Sequence, residues 1–307
     1  MQTVPIVVAD WPDDPDNPSP PGSQPKVLLV SPENLMSPDL IPGHRYLFKT
    51  PDGWQAYQVW SELLAYHISR LTGVSVPRCC LGVDGEGRLG VVVEYFYGYP
   101  RMPNEERFVH GSDLLQRALR DKKRGRPHGV RSNVRLTDRY GVTQASIAWG
   151  RMLVFDALIG NSDRHPDNWD LVYRYEIDRL PDISLAPAFD NAISLGHEFP
   201  EARVEQRWSE SQLRGYIRRG RHHCGWSAAD DTRGEHVALC VRFADAFPEA
   251  LEPMRRVVRF HPSSVDNILA AAVAMRVPTL PFSEARSQFV RNLILMRQQQ
   301  LADALGA

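Results

Sequence analysis

A polar run at residues 161–168 has the residue types and the spacing of a phosphoryl-transfer loop. It reads Asn-Ser-Asp-Arg-His-Pro-Asp-Asn, which places Asp163 and Asn168 five positions apart. This is the Asp-x-x-x-x-Asn spacing of the kinase catalytic loop. There the aspartate accepts or orients the proton of the acceptor hydroxyl, and the asparagine oxygen holds Mg²⁺. Because the same residue types are common in turns, the spacing alone is equally compatible with an ordinary loop.

A second Mg²⁺ ligand is expected downstream, on a turn. Asp190 supplies the carboxylate within Phe-Asp-Asn at 189–191, although the glycine of the Asp-Phe-Gly pattern is missing. Mg²⁺ prefers oxygen ligands and takes few of them from protein, with phosphates and water completing its octahedron. A calcium loop is excluded, because Asp163, Asp167 and Asp170 do not follow its alternating ligand spacing.

Two charged residues upstream could bind and orient the phosphates of ATP. Lys49 ends the strand-like run Tyr-Leu-Phe-Lys, and Glu62 lies on the helical segment that follows. A lysine that points into a protein needs a carboxylate partner, so the two make sense together as the lysine–glutamate pair of a kinase. Each alone is typical of a solvated surface residue. The order along the chain favours a kinase: lysine strand, glutamate helix, hinge strand, Asp-x-x-x-x-Asn loop and metal aspartate.

The segments that must position these residues divide the chain into a sheet-rich part and a helix-rich part. Periodicity predicts a helix over about 55–71, with Gly73 just past its end. The other predicted segments are strands at 27–30, 46–49, 79–83 and 89–97, helices at about 143–159, 234–247, 263–275 and 282–305, and a short two-stranded patch near 170–187. This layout predicts an α+β, two-lobed protein-kinase-like fold with a small β-rich N-lobe, a larger helical C-lobe and the site between them.

The predicted domain organisation has three parts. A Pro-rich leader occupies 1–21, an N-lobe with the ATP phosphate contacts occupies 22–100, and a helical C-lobe with the catalytic loop and the metal site occupies 101–307. The first 25 residues carry seven prolines, which predicts an extended, mobile segment. A hinge is expected near 94–103.

A Gly-x-Gly-x-x-Gly match at residues 85–90 is a decoy. It lies between two predicted strands and opens no helix, and no lysine strand follows it. The match is therefore predicted to be a hairpin turn and not a nucleotide-binding loop.

Composition limits the other classes of function. The net charge of −1 over 307 residues gives no global attraction to nucleic acid or to an acidic membrane. Without a signal peptide or a run of eighteen apolar residues, the protein is expected to be cytoplasmic and to have no membrane segment. The four cysteines are expected to be reduced and packed as small hydrophobes. The run His-His-Cys at 222–224 lacks a second ligand pair at zinc spacing, so a metal site is discounted there.

Two basic stretches could contact an acidic or nucleic-acid-associated partner, or could be solvated surface. The first has nine Lys or Arg within 117–139 and no interleaved aromatic residues, which favours a solvated loop. The second contains Arg214, Arg218, Arg219 and Arg221 and is flanked by Tyr216 and Trp226. For the second stretch the two readings are about equally supported.

The chain resembles the HipA-type serine/threonine kinases of bacteria over about residues 19–305. The most specific similarity is in Phe-Asp-Ala-Leu-Ile-Gly-Asn-Ser-Asp-Arg-His-Pro-Asp-Asn-Trp at 155–169 and in Leu-Ala-Pro-Ala-Phe-Asp-Asn-Ala-Ile-Ser-Leu-Gly at 185–196. Weaker similarity links Gly-Ser-Gln-Pro-Lys at 22–26 to the family's phosphate loop and residues 46–49 to its lysine strand.

The resemblance implies a role for each candidate residue. Asp163 would be the catalytic base, and Asn168 and Asp190 would hold Mg²⁺. Four implied ATP-binding residues lie in the phosphate loop: Gly22, Ser23, Gln24 and Lys26. Lys49, braced by Glu62, would reach the phosphates, and His165 would lie near them. Glu94 and Phe96 would contact adenine through their hinge backbone groups. Ser19 falls where family members carry an inhibitory autophosphorylated serine, although the two prolines that follow it depart from the usual pattern.

The leading hypothesis is an ATP- and Mg²⁺-dependent serine/threonine protein kinase whose protein substrate is unknown. The chain resembles the compact members, without the extra N-terminal subdomain, so a toxin role with an antitoxin partner carries over poorly. One alternative is a lipid or small-molecule kinase with the same site. The other is a catalytically weak kinase fold that acts as a binding module.

Overall fold

The computed structural model describes residues 1–14, 25–35, 40–100, 102, 105–119, 128–206, 208–227, 230 and 233–307. Within these ranges the first hundred residues are mainly sheet with one long helix, and the remainder is mainly helical. The predicted α+β architecture is therefore confirmed. No described helix is long and apolar enough to cross a membrane.

A curled five-stranded sheet forms the N-terminal part. Its strands are β1 (Ile6–Val7), β2 (Lys26–Val30), β3 (Arg45–Lys49), β4 (Cys79–Val83) and β5 (Leu89–Glu94). The spatial order is β1-β4-β5-β3-β2, antiparallel except for the parallel pair of β1 and β4. The four strands β2 to β5 were predicted from their apolar runs. The decoy at 85–90 spans the β4–β5 turn and the first residues of β5, as predicted.

The start of the chain packs onto this sheet, which differs from the expected extended, mobile leader. Val8 and Trp11 are buried in a small apolar cluster, and the ring of Trp11 meets that of Tyr46 at 5.6 Å. Asp14 forms an ion pair with Arg45 at 3.0 Å. The prolines suggested a solvated segment, but burial of these two apolar side chains outweighs that tendency. Residues 15–21 lie outside the described ranges.

Helix α1 (Gln58–Thr72) lies between the sheet and the helical part. Gly73 ends it in the left-handed region at φ 66°, a conformation that glycine adopts without a Cβ penalty, as predicted. Eleven of its fifteen residues are buried, including Glu62. A helix buried this extensively is fixed by packing on both sides.

A three-stranded antiparallel sheet follows the hinge, where two strands were predicted. Strands β7 (Asp170–Tyr175) and β8 (Asp182–Leu185) match the predicted patch, and β6 (Glu105–His110) pairs with β7. The β6 segment was missed because its polar composition gives weak periodicity and its pairing partner lies about 65 residues later.

The remaining helices enclose one large core. They are α2 (Gly111–Leu119), α3 (Val130–Arg139), α4 (Ala145–Ile159), α5 (Glu201–Val204), α6 (Glu210–Arg219), α7 (His236–Ala246), α8 (Pro248–Val257), α9 (Pro262–Val273) and α10 (Glu284–Leu305). The four predicted helices correspond to α4, α7, α9 and α10. Helix α4 is central, because α3, α7, α8 and α10 all pack on it. All four cysteines are buried, as predicted, and none forms a disulfide.

Candidate active site

The loop at 161–168 follows directly from α4. Gly160 ends that helix at φ 71°, and a Cβ at this position would overlap the guanidinium of Arg297. Glycine is therefore required both by the backbone conformation and by the close approach of the arginine. The loop begins from a rigid buried helix, which fixes where its polar side chains lie.

Asp163 is partly exposed, with 32% of its side chain accessible. Its backbone N–H donates to Oδ1 of Asn161 at 2.9 Å, so a buried amide orients the start of the loop. Partial burial raises the pKa of the Asp163 carboxyl above its usual value, although His165, 3.9 Å away, opposes this. A carboxylate that is exposed to an incoming group and has a raised pKa is suited to act as a general base.

Arg164 connects the loop to its surroundings and is fully buried. Its Nη2 and Nε donate to the two carboxylate oxygens of Asp156 at 2.8 and 3.1 Å. Its Nη1 donates to the carbonyls of Asn168, at 2.8 Å, and Phe189, and Nη2 also donates to Oδ1 of Asn191 at 2.8 Å. One side chain therefore joins α4, the end of the loop and the segment that carries Asp190.

Asp156 is the buried counter-charge in this arrangement. Burial raises its pKa, but Arg164 and a bond from Nε2 of His222 at 3.1 Å outweigh burial and hold the pKa well below its usual range. The backbone N–H of Cys224 donates to Nδ1 of His222, which leaves Nε2 to donate to Asp156. Sequence reasoning gave no role to Asp156, Arg164 or His222. The available signal was a carboxylate within an otherwise apolar helix.

Asn168 is buried and its orientation is fixed. Nδ2 donates to the Asp163 carbonyl at 2.7 Å, so the amide oxygen is the atom available to a cation. Asp190 has φ 55°, an uncommon conformation for a residue with a side chain, and 39% of that side chain is accessible. An amide oxygen and a carboxylate oxygen are both hard donors of the kind that Mg²⁺ prefers.

Lys49 at the end of β3, Glu62 on α1 and Asp190 in the segment after β8 come together. Nζ of Lys49 lies 2.9 Å from Oδ1 of Asp190 and 3.8 Å from Oε2 of Glu62. Burial lowers the pKa of Lys49, but the two carboxylates raise it overall, so the ammonium is charged. Burial raises the pKa of Glu62 above its usual value, and Lys49 opposes this. Lys49 outweighs the effect of burial on Asp190 and lowers the pKa of that carboxyl.

Lys26 lies directly across the β2–β3 ladder from Lys49. Burial and the charge of Lys49 lower the pKa of Lys26, while Asp190 opposes the shift. Like charges facing each other across a ladder are destabilising, so this arrangement needs anions nearby. Gly22, Ser23, Gln24 and Ser19, which were singled out with Lys26, lie outside the described residues.

The hinge continues from β5. The Glu94 N–H donates to the Arg78 carbonyl at 2.8 Å, and the side chain of Glu94 accepts from the Tyr99 hydroxyl at 2.7 Å. The Phe96 ring stacks on that of Phe189, with centroids 5.1 Å apart. The segment after β5 therefore contacts Phe189, the residue directly before Asp190.

His165 is partly buried, with 20% of its side chain accessible. Its Nδ1 accepts from the Asp167 N–H at 3.1 Å, and its ring lies 5.8 Å from that of His223. Within the described ranges, no group of three or more His, Cys, Asp or Glu residues is arranged to hold a metal ion.

The two basic stretches lie apart in the chain and differ in structure. The described part of the first includes α3, which carries Arg131, Arg135 and Arg139. The second runs along α6 from Arg214, which pairs with Glu210 at 2.6 Å, and continues past the helix to Arg221.

The sequence matches the HipA-like C-terminal domain family over residues 18–251. The chain belongs to this family. No curated protein matches it. The HipA-like chain thus shares its family with the proteins that the motifs at 155–169 and 185–196 resemble.

Two solved structures share the fold of this HipA-like chain. The Helicobacter pylori proinflammatory kinase CtkA is 17% identical with a TM-score of 0.75, covering 98% of this chain and 96% of that chain. HipA of Shewanella oneidensis MR-1, solved with HipB and operator DNA as a toxin–antitoxin system, is 13% identical with a TM-score of 0.55, covering 96% and 68%. The predicted kinase-like fold is therefore confirmed.

Proposed function

We propose that this HipA-like protein is an ATP-dependent phosphotransferase that transfers the γ-phosphoryl group to a serine or threonine hydroxyl of a protein. The proposal rests mainly on one observation: Nζ of Lys49 lies 3.8 Å from Oε2 of Glu62 and 2.9 Å from Oδ1 of Asp190. A charged lysine, its bracing carboxylate and a metal carboxylate are the parts that phosphoryl transfer requires for positioning and charge neutralisation.

Each cation and oxygen donor would have a separate task. Lys49 would bind the ATP phosphates, and Lys26, together with Gly22, Ser23 and Gln24, would bind them from the β2 side. Mg²⁺, held by Asn168 and Asp190, would neutralise charge on the phosphates. Backbone groups of Glu94 and Phe96 would bind adenine, and His165 would lie near the phosphates.

Asp163 would act as the general base. The acceptor oxygen forms a bond to the γ-phosphorus while the bond from that phosphorus to the bridging oxygen breaks, so ADP leaves. Asp163 takes the hydroxyl proton. The raised pKa of its carboxyl makes it a stronger base than an ordinary aspartate.

The protein would act in the cytoplasm on a protein partner, with the basic residues near α6 as a contact for acidic groups. Inhibition by phosphorylation of Ser19 belongs to the same proposal, and it can be followed by mass spectrometry of the protein purified from cells.

Binding of ATP with Mg²⁺ is expected to raise the melting temperature, and radiolabelled ATP is expected to label a protein in a cell extract. Asp163→Asn should abolish transfer while ATP still binds. The absence of a thermal shift at millimolar ATP would refute the kinase proposal, and full activity of Asp163→Asn would refute the base assignment. Label found in the lipid fraction and not in protein would assign the alternative acceptor class.

A further inference from the structure

Trp60, two residues before Glu62 on α1, attaches this helix to the helical part of the protein. Trp60 is buried, and its Nε1 donates to the Leu280 carbonyl at 3.0 Å. The Trp60 ring packs against that of Phe282, with centroids 5.1 Å apart. Leu280 and Phe282 belong to the link between α9 and α10, about 220 residues further along the chain.

Ser61 and Glu62 hold the same segment from adjacent positions on α1. The buried hydroxyl of Ser61 donates to the Ser194 carbonyl at 2.9 Å. The Ser194 hydroxyl donates to the Asn191 carbonyl at 2.7 Å, and the Asn191 N–H donates to Oε1 of Glu62 at 3.2 Å. These bonds form a closed circuit that begins and ends on α1 and contains the residues directly after Asp190.

The first turn of α1 is attached to the helical part as well. The Arg286 guanidinium carbon lies 3.4 Å from the centre of the Tyr57 ring, the residue just before the helix. Nε of Arg286 bonds to Oε2 of Glu201 at 2.9 Å, and Nη2 donates to the Phe199 carbonyl at 2.7 Å. The α1 start is therefore bound to both α10 and α5.

In many kinases the position of the glutamate helix controls whether the lysine–glutamate pair forms. Here, outward movement of α1 would break the Trp60 and Ser61 bonds. It would also take one donor from each of the Leu280 and Ser194 carbonyls and expose a helix buried on both sides. We propose that Trp60 and Ser61 are positioning residues that keep Glu62 paired with Lys49 whether or not nucleotide is bound. The proposal rests on the proposed function only in taking Lys49 and Asp190 as the nucleotide and metal site.

The test compares Ser61→Ala with Ser69→Ala in the full chain. Ser69 is a matched control because it is also buried on α1, but its hydroxyl donates to the Tyr66 carbonyl within the same helix. Amide hydrogen exchange over residues 58–64 and 190–194 is measured with and without ATP and Mg²⁺. The KM for ATP and the kcat are measured alongside the melting temperature.

In the parent protein, exchange at 58–64 should be slow and change by less than about twofold on adding ATP and Mg²⁺. Ser61→Ala should exchange roughly tenfold faster in both segments, whereas Ser69→Ala should not. The KM of Ser61→Ala for ATP should rise about fivefold, with kcat at saturating ATP little changed, because bound nucleotide restores the Lys49–Glu62 pair. Both variants should lose similar amounts of melting temperature. If Ser61→Ala does not fold, Trp60→Phe, which keeps an aromatic ring but removes the N–H donor, takes its place.

Rapid exchange at 58–64 that becomes slow only when nucleotide is added would overturn the inference. Identical exchange in Ser61→Ala and Ser69→Ala would also overturn it. If the parent protein fails to bind ATP, the proposed function is wrong. The comparison of the nucleotide-free variants still decides the positioning role.

Discussion

Replacement of Arg164 by methionine is expected to cost more stability than any other single change near the site. The substitution removes five hydrogen bonds, two of them to Asp156. That carboxylate stays fully buried and, among the residues that the structure describes, keeps His222 and Asn161 as partners. Removing one partner of a buried ion pair costs about 3–5 kcal/mol. Since whole domains are stable by about 5–15 kcal/mol, the loss is a large fraction of the total.

The unfolding free energy lost in Arg164→Met should be smaller at acid pH than at neutral pH. The folded-state pKa of Asp156 is lowered, so its ion pair contributes stability at all pH values above the unfolded pKa of about 4, and the contribution is lost as pH falls toward the folded value. In Arg164→Met the buried carboxylate can take up a proton at mildly acid pH, which relieves the unpaired charge. The difference in unfolding free energy between parent and variant should therefore shrink between pH 7 and pH 4.

The assay is urea unfolding at both pH values, with Arg214→Met as the matched control. The side chains of Arg214 and its partner Glu210 are 59% and 70% exposed and pair at 2.6 Å, so the loss of Arg214 should cost no more than about 1 kcal/mol. The double variant Arg164→Met, Asp156→Asn should lose less than the sum of the two single variants, because it removes both charges. A loss below about 1 kcal/mol for Arg164→Met, or strict additivity in the cycle, would contradict the buried-pair reasoning.

Four further predictions concern chemistry and backbone. Lys49→Met should lower kcat/KM by about a hundredfold or more, with the melting temperature measured in parallel, because the phosphates lose their cation; unchanged kinetics would exclude Lys49 from the site. Asp190→Asn should raise the Mg²⁺ concentration needed for half-maximal activity, and a magnesium titration of the purified variant measures this shift. The raised pKa of Asp163 predicts that kcat/KM falls as pH decreases, with a midpoint above that of an ordinary aspartate, and that it is constant where the base is ionised; a pH–rate profile with no acid limb would contradict that role. Gly160→Ala should destabilise the fold by at least about 1–2 kcal/mol, because of its positive φ and the nearby Arg297, as measured by thermal or urea unfolding.

The residues that the structure brings together at the site were found from sequence because phosphoryl transfer requires particular types in a particular order. Lys49, Glu62 and Asp190 come from three distant segments, yet they meet within 4 Å as their order suggested. Their catalytic and metal-binding roles remain predictions. The strands β3 to β5 were equally visible, since apolar runs bounded by turn residues give a clear signal.

The buried residues that hold the 161–168 loop in place could not be predicted in the same way. Asp156 and Arg164 both lie within the recognised motif, but His222, which bonds to Asp156, lies 66 positions further along the chain, and no local pattern links it to them. The strand β6 was hidden for a related reason, because its pairing with β7 is decided by a distant segment. Long-range pairing of polar groups leaves little trace in periodicity, whereas apolar burial leaves a strong one.

The short strand β1 covers the edge of the sheet that β4 would otherwise form. It lies beside β4 at one edge of the five-stranded sheet, where Ile6 and Val7 are in register with Gly82 and Val83. An uncovered edge offers unpaired backbone groups as a template for another chain. Loss of the first fourteen residues, by proteolysis or truncation, would leave β4 as that edge and remove Trp11 from its cluster. The trimmed protein should then aggregate on concentration, even though every residue proposed for catalysis is still present.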